Sequence, residues 1–175
     1  MTVFSLDSKM SDVESLFPFS RSMLHKKFHV GGCATCGYEP QESIREVAQK
    51  HSKNALEMVE ALNEGLDSMN STEITPAQLY SKTAENASIL FIDVRESWEF
   101  EIVQFPNAIL LSEANMESTV EKFSGFDLVI FYCHHGMRSL NATLYFKEFG
   151  HSNIKSLKGG IDQYAQLIDS TLPRY

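Results

Sequence analysis

The fold turns on residues 127–150, Asp127-Leu-Val-Ile-Phe-Tyr-Cys-His-His-Gly-Met-Arg-Ser-Leu-Asn-Ala-Thr-Leu-Tyr-Phe-Lys-Glu-Phe-Gly150. Leu128 to Tyr132 is apolar with no polar alternation, which suits a strand buried on both faces. A short loop follows from Cys133 to Arg138, with one glycine at Gly136. Helical spacing then begins: Ala142, Phe146 and Phe149 form one stripe, Leu140 and Leu144 widen it, and Gly150 stands where a C-terminal cap is expected. Cys133 is thereby placed at the carboxyl end of a central strand, facing the amino end of a helix. Open α/β sheets bind ligands at that place. Backbone N–H groups and the helix dipole there favour an anion such as a thiolate.

Strands and helices alternate on both sides of this stretch. Thr75-Pro76-Ala77-Gln78 is a capping box with proline at the first helical position. Ile89 to Ile92 reads as a buried strand ending in Asp93-Val-Arg-Glu96, followed by a helix around Trp98 to Val103 and a short strand at Ile109 to Leu111. A helical turn over Glu117 to Phe123 leads into the Asp127 strand. Beyond Gly150, a strand at Ile154 to Leu157, a Gly159-Gly160 break and a helix through Ile168 complete the pattern. Such alternation predicts an α/β fold, a mainly parallel sheet covered by helices.

Residues 1–70 read instead as a small all-α domain. Val13, Leu16 and Phe17 suggest a first helix, and Pro18 can open a second that includes Met23, Leu24 and Phe28. A glycine-rich break runs from His29 to Pro40. Helical spacing resumes at Ile44, Val47 and Ala48, and again on the stripe Ala55, Val59, Leu62 and Leu66. Met69 to Glu73 is polar and reads as a linker, so the expected domains are 1–70 and 74–175.

A chain of 175 residues has room for such a pair. Its net charge of −8 is spread along the chain and opposes a nucleic-acid role, which needs a basic face. No apolar stretch approaches the roughly 20 residues that span a bilayer. The first residues lack the basic start and apolar core of a secretory signal, so no membrane partner and a cytoplasmic location are expected. Three cysteines do not make a disulfide framework, and in a cytosolic chain point to catalysis, redox work or metal binding.

Only four residues separate Cys133 from Arg138. They can wrap the sulfur with their N–H groups inward as an anion nest, with Gly136 supplying a positive φ. Arg138 could hold an anionic substrate through two parallel hydrogen bonds, and His134 and His135 offer donors or a proton relay. The plain alternative is a buried structural cysteine beside an ordinary turn.

From Ile74 onward the chain resembles single-domain rhodanese-type (thiosulfate) sulfurtransferases. The resemblance rests on Asp93-Val-Arg-Glu96, on Cys133-His-His-Gly-Met-Arg-Ser139 and on Leu157-Lys-Gly-Gly160, in that order. It implies that Cys133 is catalytic and carries a sulfane sulfur as a persulfide. His134, His135, Gly136, Met137 and Arg138 would bind the transferred sulfur and the donor's oxyanion. The implied partners are a small sulfane-sulfur donor, such as thiosulfate or polysulfide, and a thiol, cyanide or protein acceptor. No cofactor is required for that step. One segment departs from the pattern: Val103-Gln-Phe-Pro-Asn-Ala108 stands where the family usually has a Gly-His-Ile-Pro-Gly-Ala-like stretch. Cysteine-based phosphatases of related fold also pair a cysteine with an arginine, but with one residue more between them, to cradle a phosphate.

Cys33-Ala-Thr-Cys36 lies in the glycine-flanked break. Such a pair can form a redox disulfide, supply half a zinc or iron–sulfur site with His25 and His29 nearby, or serve as plain loop residues. Residues Leu16 to Leu66 resemble a small helical CxxC domain of unknown function, associated with hybrid-cluster proteins. The resemblance rests on Gly31-Gly-Cys-Ala-Thr-Cys-Gly37, a helix from near Glu42, and Leu62-Asn63. Fusing a dithiol to a sulfur carrier suggests that Cys33 or Cys36 accepts the sulfur. The rival reading is a non-catalytic metal or redox sensor or adaptor built on that loop.

Overall fold

The computed structural model describes residues 3–31 and 37–175, so the Cys33/Cys36 pair lies outside the described residues. The chain divides into two compact units, Met1–Asn70 and Ser71–Tyr175. The first holds helices α1 (Met10–Leu16), α2 (Ser20–Phe28), α3 (Ile44–Lys50) and α4 (Ala55–Thr72), the last crossing the boundary by its final turn. Met10, Val13, Leu24, Ile44, Val47, Met58 and Leu62 are among its most deeply buried apolar residues. Ser43 caps α3 through a capping box with Glu46, a local signal as clear as that of Thr75.

Three expectations for this unit shift. Pro18 does not open α2: it sits in a turn closed by the Ser20 N–H donating to the Phe17 carbonyl at 2.9 Å, with proline at its favoured second position. On α4 the buried ladder is Met58, Ala61, Leu62, Leu66 and Met69, while Ala55 and Val59 are only half-buried. Counting from Met58 gives the better-filled face. Met69 to Glu73 is no linker. With neither glycine nor proline to stop it, α4 runs through Thr72 directly into a strand.

Asn63 has a structural task on that helix. Its Oδ1 accepts the N–H groups of Val3 and Phe4 at 2.8 and 2.9 Å, and its Nδ2 donates to the carbonyls of Phe4 and Val59 at 3.0 and 2.9 Å. Phe4 is buried beneath this clamp. Asn63→Ala leaves these backbone groups unpaired, and should cost about 1–3 kcal/mol in chemical denaturation. An unchanged midpoint would contradict that account.

The second unit comprises β1 (Glu73–Ile74), α5 (Pro76–Ala84), β2 (Ile89–Asp93), α6 (Ser97–Ile102), β3 (Ile109–Leu110), α7 (Met116–Val120), β4 (Leu128–Tyr132), α8 (Met137–Glu148), β5 (Ile154–Leu157) and α9 (Gly160–Leu167). The five strands form a wholly parallel sheet in the order β1-β5-β4-β2-β3. This is the expected α/β arrangement, a parallel sheet with flanking helices, and further helices precede it. Side chains of β4 alternate between two cores. Ile130 and Tyr132 join Leu79, Phe105, Leu157, Ile161 and Tyr164 on one face. Val129 and Phe131 join Leu90, Ile92, Phe123, Phe146 and Ile154 on the other. The apolar run is thus explained by burial on both sides.

The stripe expected on α8 is only half right. Phe146 and Leu140 are buried, but Phe149 lies just past the helix end and is 64% exposed. Thr143 and Ser139 take its place inside, made tolerable because the Thr143 hydroxyl donates to the Ser139 carbonyl at 2.7 Å. Gly150, at φ 90°, follows the helix as its left-handed cap. Val103–Ala108 also finds its reason here. Phe105 is buried, with its ring stacked on Phe91 at 4.7 Å and edge-on to Tyr132 and Tyr164 at 4.8 and 5.0 Å. Asn107 adopts a left-handed φ of 59°, which asparagine tolerates better than most residues. Among the described residues, no helix is long and apolar enough to cross a membrane.

Candidate active site at the Cys133 loop

Cys133 follows the last residue of β4, is 2% exposed and is a free thiol. The loop after it turns at Gly136, whose φ of 94° makes it the N-terminal cap of α8. The Gly136 N–H points back at the Cys133 Sγ, 3.1 Å away. The following N–H groups, Met137 first, open α8 and have no intrahelical acceptor. Met137 itself is exposed.

The loop is held from behind by α9. Ile161 and Asp162 donate their N–H groups to the carbonyls of Cys133 and His134 at 2.9 and 3.2 Å. Gly160 allows this approach: a Cβ there would lie 2.1 Å from the His134 carbonyl oxygen and 2.4 Å from that of Cys133. The Leu157–Gly160 motif therefore supports the cysteine loop. Ser139 adds a second prop, donating to the Gly136 carbonyl at 3.0 Å and meeting the buried Ser156 hydroxyl at 2.9 Å.

Arg138 meets a carboxylate of its own chain. Its fork closes on Glu99 of α6, Nη1 to Oε2 at 2.6 Å and Nη2 to Oε1 at 2.7 Å. Glu99 is 4% exposed. Its Oε2 also accepts the Glu96 N–H at 3.1 Å, and its Oε1 accepts the Tyr175 hydroxyl at 2.9 Å. Four donors thus saturate one carboxylate. Arg138 foremost, and the Glu96 and Tyr175 bonds after it, pull the Glu99 pKa down to about 2 against the opposing effect of burial.

The Tyr175 hydroxyl in turn accepts from Arg95 Nη1 at 2.7 Å. Arg95 grips Asp93 through Nε and Nη2, at 2.9 and 2.6 Å, and donates Nη2 to the Val103 carbonyl at 2.6 Å. Both side chains are fully buried. Asp93-Val-Arg95 and the cysteine loop are thereby joined in one polar network, Asp93–Arg95–Tyr175–Glu99–Arg138.

His134 stacks on His135 at 4.0 Å and lies against the Tyr175 ring at 4.2 Å. Burial first, and the neighbouring His135 second, lower its pKa below the usual histidine range. Both influences favour the neutral ring, which can donate or accept a hydrogen bond. His134, His135 and Asp162 bring ligand atoms within 4.8 Å of one another. Asp162, however, is already committed to Arg174 at 2.7 and 3.1 Å. Within the first unit, His25 and His29 face each other edge-on at 6.4 Å. A hollow of about 850 Å³ between α7 and the end of α8 is lined by Met116, Tyr145 and Phe149, and no residue of the cysteine loop lines it.

The structure places Cys133, Gly136 and Arg138 around one turn and adds residues that sequence spacing does not reveal: Glu99, Tyr175, Ser139 and Ser156. Residues 75–167 match the Rhodanese-like domain family, over half of the chain. The chain belongs to that family. Among its rhodanese-like relatives are the Adenylyltransferase and sulfurtransferase UBA4 of Saccharomyces cerevisiae, 31% identical over 112 residues, and the Adenylyltransferase and sulfurtransferase MOCS3 of Drosophila grimshawi, 33% identical over 105. These alignments cover 56% and 55% of this chain but 25% and 23% of the relatives, so the chain spans about a quarter of their length. The fold is shared with the reduced CoADR-RHD of Bacillus anthracis, at a TM-score of 0.51 and 17% identity, covering 78% of this chain and 23% of that one.

The Glu99–Arg138 pair has a pH signature. The carboxylate's pKa is lowered in the folded state, so the pair's contribution to stability is complete above the ordinary glutamate value of 4.5 and is lost as pH falls toward 2. Thermal midpoints of wild type and Glu99→Gln should differ most above pH 4.5 and converge below it. A gap that widens on acidification would contradict the assignment.

Proposed function

We propose that this protein is a sulfurtransferase working by a two-step persulfide mechanism on Cys133. The observation that carries this reading is the Cys133 sulfur itself, which sits at the sheet's carboxyl edge and accepts the Gly136 N–H at 3.1 Å. The Cys133 thiolate attacks the outer sulfur of a sulfane donor. A Cys133–S bond forms, the donor's S–S bond breaks, and the leaving group departs with the bonding electron pair. With thiosulfate that group is sulfite; with an organic persulfide it is a thiolate. The loop amides hold the resulting terminal sulfur anion. An acceptor thiol or cyanide then attacks that sulfur and regenerates the Cys133 thiolate.

The sulfurtransferase names of the two relatives agree with this chemistry. The four-residue spacing suits one sulfur better than the oxygens of a phosphate, which argues against phosphatase action. The Cys33/Cys36 dithiol of the helical CxxC unit is read as a thiol acceptor, in a protein working in the cytoplasm. Loading with a sulfane donor, alkylating and mapping peptides by mass spectrometry tests the first step. Sulfur is expected on Cys133; its absence there with every donor tried would overturn the reading.

A further inference from the structure

The cations around the cysteine loop are already spoken for. Arg138 gives both ends of its fork to Glu99. Arg95 is paired with Asp93, and Arg174 with Asp162. The side chains at the site thus form neutral pairs, and what remains to hold an anion is the backbone around Sγ. Glu99 cannot easily turn away, since four donors from three directions fix its two oxygens. It enters the network from α6, which otherwise shows solvent its Trp98 and Ile102.

Two kinds of sulfane donor meet this arrangement differently. Thiosulfate brings two negative charges, and its sulfonate wants a bidentate arginine. Here it would compete with a buried carboxylate for Arg138 while being repelled by that carboxylate's charge. An organic persulfide brings at most one charge at its reacting end. It asks only for the backbone donors that cradle the transferred sulfur.

We infer that Glu99 is a specificity-determining residue that turns the Cys133 site toward organic persulfides and away from thiosulfate, by holding Arg138 in a neutral pair. This rests on the reading of Cys133 as the sulfur carrier. Cys133 thiolate attacks the terminal sulfur of R–S–SH, the R–S–S bond breaks, R–S⁻ leaves, and Cys133 holds the S–SH group with no net oxidation or reduction. Tyr175, which hydrogen-bonds Glu99 and Arg95 alike, is the positioning residue behind it.

The test is the single-turnover rate of sulfur loading on Cys133, quenched by alkylation and read by mass spectrometry, in wild-type protein and Glu99→Gln. The donors are a small alkyl persulfide and thiosulfate. Wild type should load from the alkyl persulfide at least about 100-fold faster than from thiosulfate at equal concentration. Glu99→Gln, which keeps the shape and removes the charge, should accelerate thiosulfate loading at least about tenfold. The ratio of thiosulfate to persulfide loading rates should therefore rise by about tenfold. If Glu99→Gln slows both donors together, Glu99 merely holds Arg138 in working position and the inference fails. A wild-type preference for thiosulfate defeats it without any variant, should Glu99→Gln not fold. No loading of Cys133 from either donor would instead sink the sulfur-carrier reading on which the inference stands.

Discussion

Cys133→Ser is expected to lower sulfur transfer by at least about a thousandfold while leaving the fold in place. The side chain is almost completely buried, and its sulfur accepts the Gly136 N–H at 3.1 Å. A serine hydroxyl can accept the same N–H, so the Gly136 turn and the start of α8 lose little. A neutral hydroxyl does not attack a sulfane sulfur, because the reactive species is the thiolate. Steady-state transfer from an alkyl persulfide to a thiol acceptor, set beside the thermal midpoint, separates chemistry from stability. Near-normal turnover by the folded variant would make Cys133 the structural cysteine that the plain alternative describes.

Asp93→Ala should be the most destabilising of the substitutions considered. It leaves the Arg95 guanidinium with no exposed surface and no carboxylate. Burial works to lower the Arg95 pKa, but the hydrogen bonds and charge of Asp93 outweigh it and raise the value, so the group stays charged throughout folding. Removing one member of a buried pair typically costs about 3–5 kcal/mol, because the other charge remains buried without compensation. For a unit of this size that corresponds to a fall in thermal midpoint of more than about 10 °C. Val103 and Tyr175, both bonded to Arg95, would lose their anchor with it. A fall of only a few degrees would mean that Arg95 finds water or another acceptor, and that the Asp93–Arg95 pair is not what joins β2 to the site.

The parts of this molecule legible in the sequence are those whose signals are local. The apolar run Leu128–Tyr132 suits a strand covered on both faces, and Gly136, Gly150 and the Thr75–Gln78 box mark turns and caps by their own chemistry. The order of those pieces was enough for the parallel sheet. What sequence spacing hides depends on contacts between distant segments. Glu99 stands 39 residues before Arg138, on a helix whose exposed Trp98 and buried glutamate invert the usual amphipathic pattern. Tyr175 is farther still, 76 residues from Glu99. Ser139 and Ser156 look like surface residues until each is seen to satisfy the other, buried between α8 and β5. Phe149 misled in the opposite sense, since its hydrophobicity continues the α8 stripe after the helix itself has stopped. Spacing brings Arg138 to the start of α8, but only the folded chain shows that Glu99 meets its fork.

The central claim is that Cys133 carries the transferred sulfur, and the most direct measurement is the mass of the Cys133 peptide after exposure to a sulfane donor and alkylation. The account predicts a gain of one sulfur atom on Cys133, absent in Cys133→Ser and removed by a thiol acceptor. An unmodified Cys133 peptide from protein that still transfers sulfur would contradict it.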